Sequence, residues 1–280
     1  MFKLMISLTV LFTSLHLFAN TIEQAENFYA QRGEDAVNAN KAVAIYTTLA
    51  EAAGDEIAKG KLLIKASEAK YYFASRQTVK SIIKAEHKLG YKLATQAAGL
   101  LSSSFGVPVK DEVKEDLARA YYFYSGHFGK YALQKSKPWR LLNWKKMKKR
   151  LVAVRKLAIE VEDWGGNRIF GRSRQVLGSA KEGLGFLALA YASTLKSFPT
   201  EEGEKLISIN STNTYYYLDA LKGNKKTEKF CEIYAIFSDF SAADDEIIAA
   251  HNPRLVPETL NTIEEFDNDE KMHNYATQCD

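Results

Sequence analysis

Five prolines punctuate this chain of 280 residues, and none falls between Pro138 and Pro199. Proline removes a backbone donor and clashes with the preceding turn, so its scarcity leaves long stretches free to be helical. Alternating runs flanked by Asn-Gly or Asp-Gly, the mark of hairpins, are missing. The spacing of apolar residues then sets the class. Ala36, Ala42, Ala44, Ile45, Tyr46, Leu49 and Ala53 form a helical stripe that Gly54 stops, and Asp55 opens a second helix carrying Ile57, Leu62, Leu63, Ala66, Ala69, Tyr72 and Phe73. The two read as a helical hairpin, and the fold expected is all-α.

The pattern recurs along the chain. A third helix spans about Thr78 to Leu101 and is ended by the break from Ser102 to Pro108; a fourth follows Lys110 through Tyr131; a basic fifth runs from about Trp139 to Glu162. Gly178 to Ser197 reads as one strongly apolar helix that Pro199 breaks, with Thr200 capping the next turn. Further helices are expected from Asn210, from Thr227 and beyond Pro257. No long polar linker interrupts the chain, so residues 20–280 are read as a single α-helical repeat domain.

At the N-terminus, Lys3, the apolar run from Leu4 to Phe18 and the small residue Ala19 read as a signal peptide over residues 1–19. This places the mature chain in the periplasm or otherwise outside the cytoplasm. An uncleaved anchor is the alternative, although Ser7, Thr9, Thr13, Ser14 and His16 interrupt a run that is short for a span. Export would permit Cys231 and Cys279 to form a disulfide, contributing about 3 to 4.5 kcal/mol in the chain-entropy view; two unpaired thiols are the other reading. A formal charge of +4 calls for no nucleic-acid partner. Local charge is more informative: Trp139 to Arg150 is strongly basic, and it reads as an amphipathic helix with Leu141, Leu142, Met147 and Leu151 buried, or as a contact for an anionic surface.

Candidate binding residues come from two patterns. Tyr71 and Tyr72 are echoed by Tyr121, Tyr122 and Tyr124, and again by Tyr215 to Tyr217. Adjacent aromatics on a helix cannot share a face, so one packs between layers while its neighbour lines a groove or another interface. The second pattern is Gly165-Gly166 followed by Arg168, Arg172 and Arg174. A helix starting after the glycines would set Arg168 and Arg172 on one face near unpaired backbone N–H groups, an anion-attracting corner. Otherwise the glycines make a turn, with arginines solvated or paired to Glu160, Glu162 and Asp163. His127 adds a polar group among aromatics and small residues, or is a hydrogen-bonded structural histidine.

Catalytic signatures are thin. Three S-x-x-K matches, at Ser67/Lys70, Ser81/Lys84 and Ser193/Lys196, lack the K-T-G partner of penicillin-recognising enzymes. No P-loop occurs, and the cysteines and histidines have no metal-ligand spacing. No catalytic residue, cofactor or metal is expected. The candidate ligand- or partner-binding residues are Tyr71, Tyr72, Tyr121, Tyr122, Tyr124, His127, Arg168 and Arg172.

Ala42-Val43-Ala44-Ile45-Tyr46, Lys61 to Ser67, Tyr71-Tyr72-Phe73, Ala120 to Tyr124, and Gly165-Gly166-Asn167-Arg168 with Gly171 together resemble the tetratricopeptide-repeat superfamily, over much of residues 35–225. More particularly, they resemble the T component of tripartite (TRAP) periplasmic transporters. The resemblance implies a helical-hairpin solenoid, curved or closed around a pore or groove. It also implies association with a periplasmic solute-binding protein or other envelope protein, and self-association, without catalytic residues. Arginines turned toward an aromatic groove would suit a small acidic solute. The competing readings are an envelope structural protein that touches an anionic surface, and an enzyme in which His127, Arg168, Arg172 and a carboxylate converge.

Overall fold

The computed structural model describes residues 21–103, 111–200, 203–241 and 256–279. The expected signal segment lies outside them, as does most of the break from Ser102 to Pro108. Among the described residues the chain forms twelve α-helices and one two-stranded sheet. The first six helices are α1 (Ile22–Ala30), α2 (Ala36–Ala52), α3 (Glu56–Ser75), α4 (Lys80–Ser103), α5 (Asp111–Leu133) and α6 (Lys137–Leu157). Side-chain caps fix several starts: Asp35 accepts from the Val37 N–H at 2.8 Å, and Asp55 from the Ala58 N–H at 2.7 Å. Each helix from α2 to α6 packs chiefly on its neighbours in sequence.

Small residues set how closely these helices approach. Ala42, Ala50, Ala66, Ala69, Ala94, Ala97, Ala118 and Ala120 are fully buried, and Tyr46, Leu101 and Leu151 fill the space between them. On α6 the buried seam is Met147, Leu151 and Val154. Leu141 and Leu142, expected inside, are instead 49% and 79% exposed. At 100° per residue they fall on the side of the helix opposite that seam, because the stripe follows the residues that meet α5 and α7 rather than every leucine present.

α7 (Val161–Val176) corrects the picture of a glycine turn. Glu162, Asp163 and Trp164 take left-handed conformations, with φ of 53°, 52° and 61°. Gly165 and Gly166 lie after this turn, within the helix. A Cβ at Gly165 would come within 2.3 Å of the Tyr122 ring, and one at Gly166 within 2.9 Å of Val154. The glycines therefore serve close packing, and three ordinary residues make the corner. α7 ends in a C-capping turn in which Gly178, at φ +96°, follows Leu177 and the Ser179 N–H reaches the Arg174 carbonyl at 2.8 Å.

α8 (Ala180–Ala192) is shorter than the apolar helix expected through Ser197. Its last carbonyls, of Ala190 and Tyr191, accept from the Thr194 hydroxyl at 2.9 and 3.1 Å. The chain then forms β1 (Leu195–Thr200) and β2 (Gly203–Ser208), an antiparallel pair registering Leu195 with Ser208 and Thr200 with Gly203. Pro199 thus ends no helix; it occupies β1 in a two-stranded ribbon, where a missing donor is tolerated at an edge. α9 (Ser211–Gly223), capped by Asn210, and α10 (Thr227–Ser241) follow, then α11 (Val256–Asp267) and α12 (Glu270–Ala276).

Buried apolar residues form two clusters, one from Ala25 to Phe170 and an aromatic-rich one around Leu218, Phe230, Phe237, Phe266 and Met272. Cys231 and Cys279 are joined in a disulfide, their Cα atoms 5.3 Å apart. α11 returns to the beginning of the chain. Glu258 takes both Arg32 Nε, at 3.1 Å, and Arg32 Nη2, at 2.9 Å, across 226 residues, while Arg76, the C-cap of α3, pairs with Asn261 and with Glu264 at 3.2 Å. No described helix is long and apolar enough to cross a membrane.

Candidate functional site

α3, α5, α7, α9 and α11, with α1 and α6 at their flanks, surround two adjoining cavities. The first, of about 150 Å³, has a polar wall that includes Tyr29, Glu68, Tyr122, Glu162, Arg168 and Thr262. The second, of about 290 Å³, is walled by Phe128, Trp144, Met147, Ile169 and Leu177, with Arg140 and Arg172 at its edge. Tyr71, Lys130, Ile169, Tyr216 and Glu265 line both. They form the shared wall. A further opening of about 370 Å³ adjoins the polar cavity at Tyr29, Glu68 and Glu258 and carries Glu26, Lys65 and Arg119.

The polar cavity is organised around α7. Arg168 is buried and donates to Asn213 Oδ1 at 2.7 Å, the Tyr122 hydroxyl at 2.8 Å and the Glu162 carbonyl at 3.3 Å. That carbonyl is available because the left-handed turn aims it back at the helix. Asn213, fully buried, donates in turn to the carbonyls of Asp163 and Ala190, at 3.0 and 3.2 Å. Opposite, Arg119 bridges Glu162 at 3.0 Å and Glu68 at 3.4 Å. Burial, then the neighbouring Glu162 carboxylate, push the Glu68 carboxyl up to about 7, with Arg119 pulling it down.

Lys130 stands apart. Its ammonium has neither an ion pair nor a hydrogen bond among the described residues, and the hydroxyls of Tyr71 and Tyr216 likewise have no hydrogen-bond partner there. Tyr216 and Tyr71 beside it, outweighing burial, hold the Lys130 ammonium above the usual lysine range. Lys130 is therefore a positive charge at pH 7. Three donors without a hydrogen-bond partner among the described residues thus share this wall with the Glu265 carboxylate, which also favours the Lys130 charge, and together they suit a ligand that carries oxygen acceptors.

The residues singled out from sequence separate into two groups. Tyr71, Tyr72, Tyr122 and Arg168 line the polar cavity, and Tyr71 and Arg172 the apolar one. Arg172 is engaged by Asp219 and by Gln175 at 3.2 Å, so its charge is largely spent within the protein. Tyr121 packs against the first core, and Tyr124 is buried, stacked on Phe128 at 5.5 Å beneath the Arg150 guanidinium. His127 is buried in the seam of α3, α4 and α5, with Nε2 on the Ser67 carbonyl and Nδ1 on His87 Nδ1, both at 2.9 Å. It does not meet Arg168 and Arg172. Among the described residues no group of His, Cys, Asp and Glu side chains could hold a metal ion.

Lys130, Glu68 and Glu265 were not legible as site residues. A signal existed for Lys130: Tyr122, Gly126, Gly129 and Lys130 recur at helical spacing, a polar stripe with small residues between, which leaves room beside a helix face. Glu68 and Glu265 carry no such mark, because only the docking of distant helices brings them to the cavities. No protein-family model matches the sequence, and no curated protein matches it either.

Proposed function

We propose that this chain is a noncatalytic, exported helical scaffold whose paired cavities take up a small acidic solute, as an accessory to a transporter that depends on a solute-binding protein. In this reading the helix pairs form a tetratricopeptide-like solenoid, similar to the T component of tripartite transporters, and α11 draws its two ends together through the Arg32–Glu258 pair. The observation that carries the reading is Lys130, an unpaired cation flanked by the free hydroxyls of Tyr71 and Tyr216 at the wall between a polar and an apolar cavity. An anionic group would sit among these donors, and an apolar remainder against Phe128, Trp144 and Met147.

The test is recovery of the mature protein from an envelope extract, with co-purifying proteins and small molecules identified by mass spectrometry. The reading expects a solute-binding protein, an organic acid, or both. It further expects Lys130→Met to lower retention of the acid about tenfold or more, in line with loss of one charge-assisted contact. A lone protein with no small molecule would sink it.

A further inference from the structure

From the outer face of α6 we infer that this protein docks on an anionic lipid bilayer, by a surface distinct from the cavities. The helix carries nine cations and no carboxylate over Lys137–Leu157. None of the nine forms an ion pair among the described residues. Arg150 and Arg155 are spent on the rings of Tyr124 and Phe186, at 3.8 and 4.8 Å, and Arg140 turns to the apolar cavity. The other six, Lys137, Lys145, Lys146, Lys148, Lys149 and Lys156, are all exposed.

Helical geometry puts these six within one half of the circumference, opposite the buried Met147, Leu151 and Val154. The same half holds Leu141 and Leu142, 49% and 79% exposed. A face that is merely solvated would alternate signs, since lysines three and four apart, such as Lys145 with Lys148 and Lys149, repel one another. It would also have no reason to hold two adjacent leucines in water. An anionic bilayer resolves both: its headgroups neutralise the lysines, and the leucines enter the boundary of the acyl chains. A nucleic acid or an acidic peptide would answer the charge and leave the leucines in water, so the lipid surface is the occupant that fits the whole face.

The experiment is co-sedimentation of the mature protein with vesicles of phosphatidylcholine alone and of phosphatidylcholine mixed with phosphatidylglycerol, at low and raised salt. Binding is expected only to the anionic vesicles, and raised salt should abolish it. Lys145, Lys146, Lys148 and Lys149 changed together to Gln should lower the partition coefficient roughly a hundredfold or more. Leu142→Ser should lower it several-fold while leaving the salt dependence intact. These side chains are exposed, and unchanged melting temperatures would show the variants folded. Equal binding to both vesicle types, or no response to the lysine substitutions, would overturn the proposal. So would binding to short duplex DNA as tight as to the vesicles with Leu142→Ser silent, an outcome that marks the face as a general polyanion contact.

Discussion

His87 and His127 show how one residue pair fixes a protonation state. His127 Nε2 faces the Ser67 carbonyl, which can only accept, so it carries the hydrogen; Nδ1 then accepts from the Nδ1–H of His87. Adding a proton to His127 at Nδ1 sets two donors against each other, and Lys70 opposes the charge there; at His87 the His127 ring and then Lys130 oppose it. Burial first lowers both, His127 to about 4 against the upward pull of the Ser67 carbonyl and His87 to about 2, with the charged neighbours adding to it. Their stabilising contribution is complete above the unfolded value of 6.5 and is lost as pH falls from there toward the folded values. Glu68 runs the other way, its contribution complete below 4.5 and lost as pH rises to about 7. His127→Gln should cost about 1–3 kcal/mol at pH 7. It should also lose less stability than the native protein between pH 7 and 5. Urea titrations at the two pH values measure both, and an unchanged slope would refute the assignment.

Among the elements, α7 depends most on its surroundings. Three consecutive left-handed residues without glycine cost roughly 1–2 kcal/mol each, and the turn persists because other elements hold it. Asn213 of α9 holds the Asp163 carbonyl, Asn210 holds the Asp163 carboxylate at 3.2 Å, and Arg119 of α5 holds Glu162. Asn213→Ala would release the turn and leave Arg168 without its buried acceptor. A loss of about 2–4 kcal/mol is expected by chemical denaturation, together with raised protease sensitivity near Trp164. A loss below about 0.5 kcal/mol, the usual size of a surface substitution, would mean the network does not maintain the turn.

For the whole molecule, the first described helices and the C-terminal ones are held by different means. α11 reaches the first helices by ion pairs, while the second core, around Phe230, Phe237 and Phe266, is closed by the disulfide over a separation of 48 residues. A loop of that size contributes about 4 kcal/mol in the chain-entropy view. Removing both sulfurs, as Cys231→Ser with Cys279→Ser, should therefore cost up to about 4 kcal/mol. Hydrogen exchange should quicken in α9, α10 and α12 and hardly at all in α2 to α5, whose separate core has no share in the loop. Uniform quickening would show instead that the two cores unfold as one.

What the sequence by itself determined was periodicity and punctuation. Scarce proline, apolar residues at helical spacing and the caps Asp35, Asp55 and Asn210 are local signals, each complete within a few turns, and the all-α class follows from them. Strand content at 195–208 escaped because the ribbon has no Asn-Gly turn and its first strand continues an apolar run. The aromatic doublets and Arg168 could be singled out as groove candidates, since neighbours on a helix must face different ways. Which doublet member meets a cavity, however, depends on how helices far apart in sequence dock. Lys130 became an open cation, Glu68 a carboxyl raised to about 7 and His127 a satisfied core residue only through those contacts. Burial and partnership belong to pairs of elements, which is why tertiary structure alone decided them.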